Sequence, residues 1–105
     1  MFNIGCVLYK KGPAPGTLVA EWSHSDFGNG TGLATEGPAE GWVGIYRVVY
    51  SDEQGKELSS HTLKIEKDGK YYTLLWINDD VVRFRGRGME VKEGLAAGWR
   101  STKHG

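Results

Sequence analysis

The chain of 105 residues balances thirteen basic against thirteen acidic side chains, and 39% of it is hydrophobic. That length supports one domain, residues 1–105, with a single modest core. A formal charge of zero offers none of the concentrated positive field that nucleic acid or anionic membrane rewards, so neither is expected as a partner.

The first predicted strand, about 2–9, is an apolar run holding Cys6, the one cysteine. A single thiol excludes an internal disulfide and the cysteine-rich zinc patterns, and in this run it reads as buried and inert. The start lacks the charged segment, long apolar core and cleavage site of a secretory signal. No stretch approaches the roughly 18 apolar residues of a membrane helix, so a cytoplasmic protein is the expectation. Sixteen glycines, against a usual share of about 7%, fit a chain with many tight turns.

After the turn residues Gly12 to Gly16 comes a second strand, about 17–24, in which Leu18, Ala20 and Trp22 alternate. His24-Ser25-Asp26 offers two metal donors but no convergent third, so no metal is assigned. His24 and His104 are expected to be exposed. Gly28-Asn29-Gly30-Thr31-Gly32 superficially matches a phosphate-cradling loop, but no helix follows to present its N-terminus. It reads as a turn and a weak third strand, about 30–36.

The fourth strand, about 42–51, ends in Tyr50, and the fifth, about 58–67, places Ser59, His61, Leu63 and Ile65 on one parity. Asp68-Gly69 then marks the clearest hairpin, because glycine accepts the positive φ of a tight turn. The sixth strand, about 70–77, repeats the alternating plan with Tyr72, Leu74 and Trp76. In the seventh, about 81–91, Val82 and Phe84 lie on one parity, but Met89 and Val91 on the other. A bulge at Gly86 and Gly88 would reconcile them. Arg83, Arg85 and Arg87 share the opposite face of that strand, which makes it the solvent side, or else an anion-binding or partner stripe. The eighth strand, about 94–100, closes the series with Leu95, Ala97 and Trp99.

Eight short antiparallel strands with one apolar face are expected to close into an all-β, up-and-down barrel, which removes both edges. In such a meander the even strands run the same way. Trp22, Trp76 and Trp99 therefore gather at one mouth, with His24, Asn78 and Ser101 on its rim and His61 and Tyr50 just inside. Aromatic rings crossed by a few polar groups suit a small apolar or aromatic ligand. The same rings also suit a packed plug, since a barrel of short strands has little interior. His61 is open to three roles: a hydrogen-bonded structural group, a ligand contact, or an acid–base catalyst, whose pairing with Glu21 or Glu36 needs a geometry the sequence leaves open.

No G-x-S-x-G elbow, H-E-x-x-H helix or Walker loop is present, so no catalytic residue and no cofactor are assigned. The leading expectation is a non-enzymatic binding barrel whose site comprises Trp22, Trp76, Trp99, His61, His24 and Tyr50. The alternatives are a small enzyme using His61, or an interaction module with a packed core that meets a partner through Val43, Ile45 and Val49 or through the arginine face. A homodimer is compatible with each. The segments Gly30 to Gly37, Gly44-Ile45-Tyr46-Arg47-Val48, Leu63-Lys64-Ile65, Tyr72 to Trp76, and Gly86-Arg87-Gly88-Met89 to Leu95-Ala96-Ala97-Gly98-Trp99 resemble small bacterial barrels of the avidin- and lipocalin-like kind. The resemblance implies an antiparallel barrel that holds a small apolar or aromatic ligand, without naming one.

Overall fold

Residues two apart on a strand face the same way, so each alternating run buries one row and must close around it. A computed structural model of the chain shows that closure over residues 2–102. Met1 and residues 103–105, which include His104, lie outside the described residues. The strands are β1 (Gly5–Lys11), β2 (Leu18–His24), β3 (Gly28–Thr35), β4 (Gly44–Asp52), β5 (Glu57–Asp68), β6 (Tyr71–Asn78), β7 (Val81–Val91) and β8 (Gly94–Ser101). They pair antiparallel in chain order, and β8 returns to β1 to complete the ring.

The inner rows are those of the alternating pattern: Leu18, Ala20 and Trp22 on β2, Tyr72, Leu74 and Trp76 on β6, and Leu95 and Ala97 on β8 are all buried. Leu63, Ile65, Tyr46 and Val48 join them from the strands between. At one end sit the turns 25–27, 53–56 and 79–80 together with residues 2–4 and 102. The remaining loops lie at the other end. There the β3–β4 loop contributes Trp42, whose carbonyl accepts from the Tyr46 hydroxyl at 2.9 Å and whose ring lies under the Lys11 ammonium. Trp42 is 8% exposed and shuts that end.

β1 begins at Gly5 rather than at residue 2. Asn3 has a φ of 49°, and its side chain makes a reciprocal pair of bonds with the Ser101 backbone, which takes the segment out of the ladder. Cys6 is exposed, against the expectation of a buried thiol. Parity decides this: Gly5, Val7 and Tyr9 are the buried positions of β1, and Cys6 falls between them. The bulge in β7 lies at Arg83 and not at Gly86 and Gly88, for Trp76 pairs with Phe84 while Ile77 pairs with Val82. Gly86 and Gly88 simply continue the inner row of Phe84, and Met89 stays outside, 51% exposed. Arg83, Arg85 and Arg87 are exposed, with Arg87 bonded to Asp68 at 2.7 Å.

The glycines divide into two kinds. Some serve turns, as Gly69 does with a φ of 64° in the β5–β6 hairpin. Others lie in strands, facing inward beneath an aromatic ring. A methyl group on Gly30 would meet the Trp22 ring at 2.8 Å, on Gly32 the Tyr50 ring at 2.7 Å and on Gly86 the Trp76 ring at 3.0 Å, and on Gly5 it would run into the Trp99 ring. Large side chains on even strands are thus accommodated by missing ones on odd strands. On the outer surface Val19, Leu33 and Val49 pair side by side across β2, β3 and β4, and Ile45 is exposed further along β4.

Candidate functional site

Opposite the Trp42 end, the inner rows part around a cavity of about 420 Å³. Trp22, Tyr50, His61, Trp76 and Trp99 line it, so five of the six residues expected at the mouth share one space. Because the barrel holds eight strands in chain order, β2, β6 and β8 run in one direction and deliver their terminal tryptophans together. Val7, Phe27, Leu58, Ser59 and Phe84 complete the lining. Phe84 and Ser59 follow the inward parity of their strands. Phe27 belongs to the β2–β3 turn, where no periodicity points to it.

The rings interlock. Trp99 meets Phe84 edge to face at 5.3 Å, and Trp76 is tilted against Trp99 at 6.2 Å. Two of the three indoles spend their N–H groups on the protein itself. Trp22 donates to the Thr31 carbonyl at 3.0 Å, and Trp76 donates to the Tyr50 hydroxyl at 2.6 Å. Tyr50 is also bonded to the Tyr9 hydroxyl. Burial pushes the Tyr50 hydroxyl up to about 12 and Tyr9 well above its ordinary value, so both stay protonated.

His24 is the exception among the expected site residues. Its side chain is 4% exposed and does not line the cavity, which corrects the reading of it both as an exposed histidine and as a rim group. It lies stacked between Phe27, at 4.1 Å, and Trp99, at 4.7 Å. Its Nδ1 accepts from the Asp26 backbone N–H, which leaves a buried Nε2 with no partner among the described residues. Nor does His24 belong to a metal cluster: no three His, Cys, Asp or Glu side chains converge among those residues.

His61 is held by two neighbours from its own face. Asn78 uses its Nδ2 to donate to the Ser60 carbonyl at 2.8 Å, which turns its Oδ1 toward His61 Nδ1. His61 therefore carries its proton on Nδ1, and Nε2 accepts from the Ser59 hydroxyl at 3.1 Å. Glu21 and Glu36 are exposed and bond to neither nitrogen. Burial lowers the His61 pKa, with the nearby Arg83 charge acting in the same direction and the Asn78 bond opposing. Burial lowers that of His24 as well.

Both histidines consequently bind protons more readily in the unfolded chain. Stability should be level above about pH 6.5 and fall below it, as the unfolded state takes up protons first. Urea midpoints measured from about pH 8 to about pH 5.5 should show that decline, with a shallower slope in His61→Gln. An identical slope in the variant would remove His61 from the account.

Comparison of the chain with protein-family models, curated proteins and solved structures finds no match. No helix among the described residues is long and apolar enough to cross a membrane.

Proposed function

We propose that the barrel binds a small apolar or aromatic molecule at its Trp-lined mouth without altering it chemically, in the manner of avidin- and lipocalin-like barrels. The observation that carries this reading is the cavity of about 420 Å³, whose ten lining residues include six aromatics besides His61. Small-molecule pockets run to about 300–1,000 Å³ and combine such walls with a few polar groups. Here Tyr50, Ser59 and His61 supply the polar groups. The accompanying proposal is a cytoplasmic setting, since an exposed, unpaired Cys6 suits a reducing compartment. Two copies meeting through the outer Val19, Leu33 and Val49 row is compatible with binding at the mouth.

Tryptophan fluorescence during titration with apolar and small aromatic probes tests the reading. Saturable changes are expected. Leu58, at the mouth and 51% exposed, can be replaced by glutamate with little effect on the core. Leu58→Glu should weaken probe binding by about tenfold, because the charge must lose water when the mouth is filled. A spectrum indifferent to every probe and to soluble quenchers would sink the proposal.

One observation favours a second reading. The Asn78–His61–Ser59 chain has the polarity of a general base set beside a hydroxyl. In an ester-cleaving role, Ser59 Oγ attacks the carbonyl carbon while His61 Nε2 takes its proton and returns it to the departing alkoxide. Water then repeats the sequence on the acyl group. Turnover of activated aryl esters that disappears in Ser59→Ala and in His61→Gln would support this role; turnover unchanged in Ser59→Ala would remove it.

A further inference from the structure

The cavity wall contains a polar cluster in which each proton can be assigned. Trp76 Nε1 only donates, and its acceptor is the Tyr50 hydroxyl oxygen. Tyr50 and Tyr9 share a second bond, which either hydroxyl is able to donate. Tyr9 decides the direction. Its side chain is fully buried, and among the described residues Tyr50 is the one acceptor its hydroxyl has. If Tyr50 donated, the Tyr9 proton would be buried with nothing to receive it, a state folded proteins avoid. With Tyr9 donating, both buried hydrogens are satisfied.

The Tyr50 oxygen then accepts from Trp76 and from Tyr9, which uses both of its lone pairs. Its own proton is left without a protein partner, on a side chain that lines the cavity. His61 does not compete for it, because Nε2 already accepts from Ser59. Trp99, also in the lining, has an indole N–H with no hydrogen-bond partner among the described residues. The aromatic wall therefore carries a surplus donor at Tyr50. No acidic or basic side chain stands among the lining residues other than His61, which burial keeps toward its neutral form.

Resting on the ligand-binding reading above, we infer that the Tyr50 hydroxyl is a donor subsite. Its ligand is a neutral, flat, apolar molecule bearing a hydrogen-bond acceptor of the carbonyl type: a ketone, aldehyde, ester or amide oxygen. Ligands of other polarity are disfavoured for separate reasons. An ammonium group, which can only donate, meets a Tyr50 oxygen with no lone pair to offer. A pure hydrocarbon removes water from the Tyr50 proton and returns nothing, and a buried donor left unpaired is selected against. A charged ligand would leave water for walls that carry no opposite charge.

The test uses two probes of one shape, acetylnaphthalene and isopropenylnaphthalene, in which an oxygen replaces a methylene. Calorimetric titration gives the ratio of their affinities in the unaltered protein, in Tyr50→Phe and in Tyr9→Phe. Tyr50→Phe should shift that ratio by about tenfold against the ketone, and Tyr9→Phe should leave it in place, since Tyr9 only donates to Tyr50. A ratio that Tyr50→Phe leaves unchanged, or that both variants shift alike, overturns the donor subsite and leaves the cavity reading standing. Binding of neither probe overturns the cavity reading itself. The carbonyl stretch of isotope-labelled acetylnaphthalene bound to the unaltered protein reads the same bond if Tyr50→Phe fails to fold. A band lowered from its position in hexane is expected, and an unshifted band overturns the subsite.

Discussion

Trp76→Ala should lower the free energy of unfolding by about 3–5 kcal/mol, the largest loss expected from any single truncation in this chain. The ring is 3% exposed and lies where the packed half of the barrel meets the cavity. Removing it leaves a void that the neighbouring strands cannot close, because β6 is fixed by ladders on both sides. It also strips the Tyr50 hydroxyl of one donor. Urea denaturation followed by circular dichroism measures the loss, with an unchanged denaturant slope as the sign of one cooperative transition. A decrease below about 1 kcal/mol would mean that the rings around Trp76 refill its place, contrary to the packing described.

Gly30→Ala should destabilise by about 3 kcal/mol, at the upper end of what overpacking costs, although it adds a single methyl group. That methyl would run into the Ser51 carbonyl oxygen across the β3–β4 ladder and press on the Trp22 ring at 2.8 Å. A flexible side chain could yield, but a ladder carbonyl cannot without parting the strands. Gly98→Ala provides the control. Gly98 faces outward, and the nearest atom to an added methyl is the Gly5 carbonyl oxygen at 3.9 Å. Its effect should stay within about 0.5 kcal/mol, as for most surface substitutions. Thermal unfolding of the two variants side by side makes the comparison, and equal effects would show that strand glycine acts through backbone entropy alone.

These glycines also mark where the sequence stops being readable. The period-two rows of β2, β6 and β8 revealed the inward faces, and the Asp68-Gly69 turn fixed a hairpin, because side-chain alternation and positive φ leave traces in residue type. The common direction of those strands then placed three tryptophans at one end. Removing a strand from the count would have sent Trp22 to the other. A glycine has no side chain to announce its face, so Gly30 and Gly32 read only as part of a weak strand with no legible inner row. Cys6 sits among apolar neighbours on both parities, and composition there does not say which faces in. The bulge at Arg83 involves no residue type that demands it, whereas the glycines nearby only resembled one. His24 stacks on Phe27 across a turn and on Trp99 from another strand, contacts no spacing rule encodes. Proton positions in the Tyr9, Tyr50 and Trp76 cluster depend on three strands at once.

The meeting of β1 and β8 has a consequence for the order of events in folding. Every other pairing joins consecutive strands, but this one is latched by Asn3 and Ser101, 98 positions apart. Chain entropy opposes so distant a closure more than any hairpin, so the seam is expected to form last. Until it forms, Val7 and Trp99 stand on opposite free margins of a curled sheet and enclose nothing. A ligand of the kind proposed, held between them, would span the seam like a rivet. Its departure would then be coupled to opening of the ring, and amide exchange along β1 and β8 is expected to slow in step with occupancy.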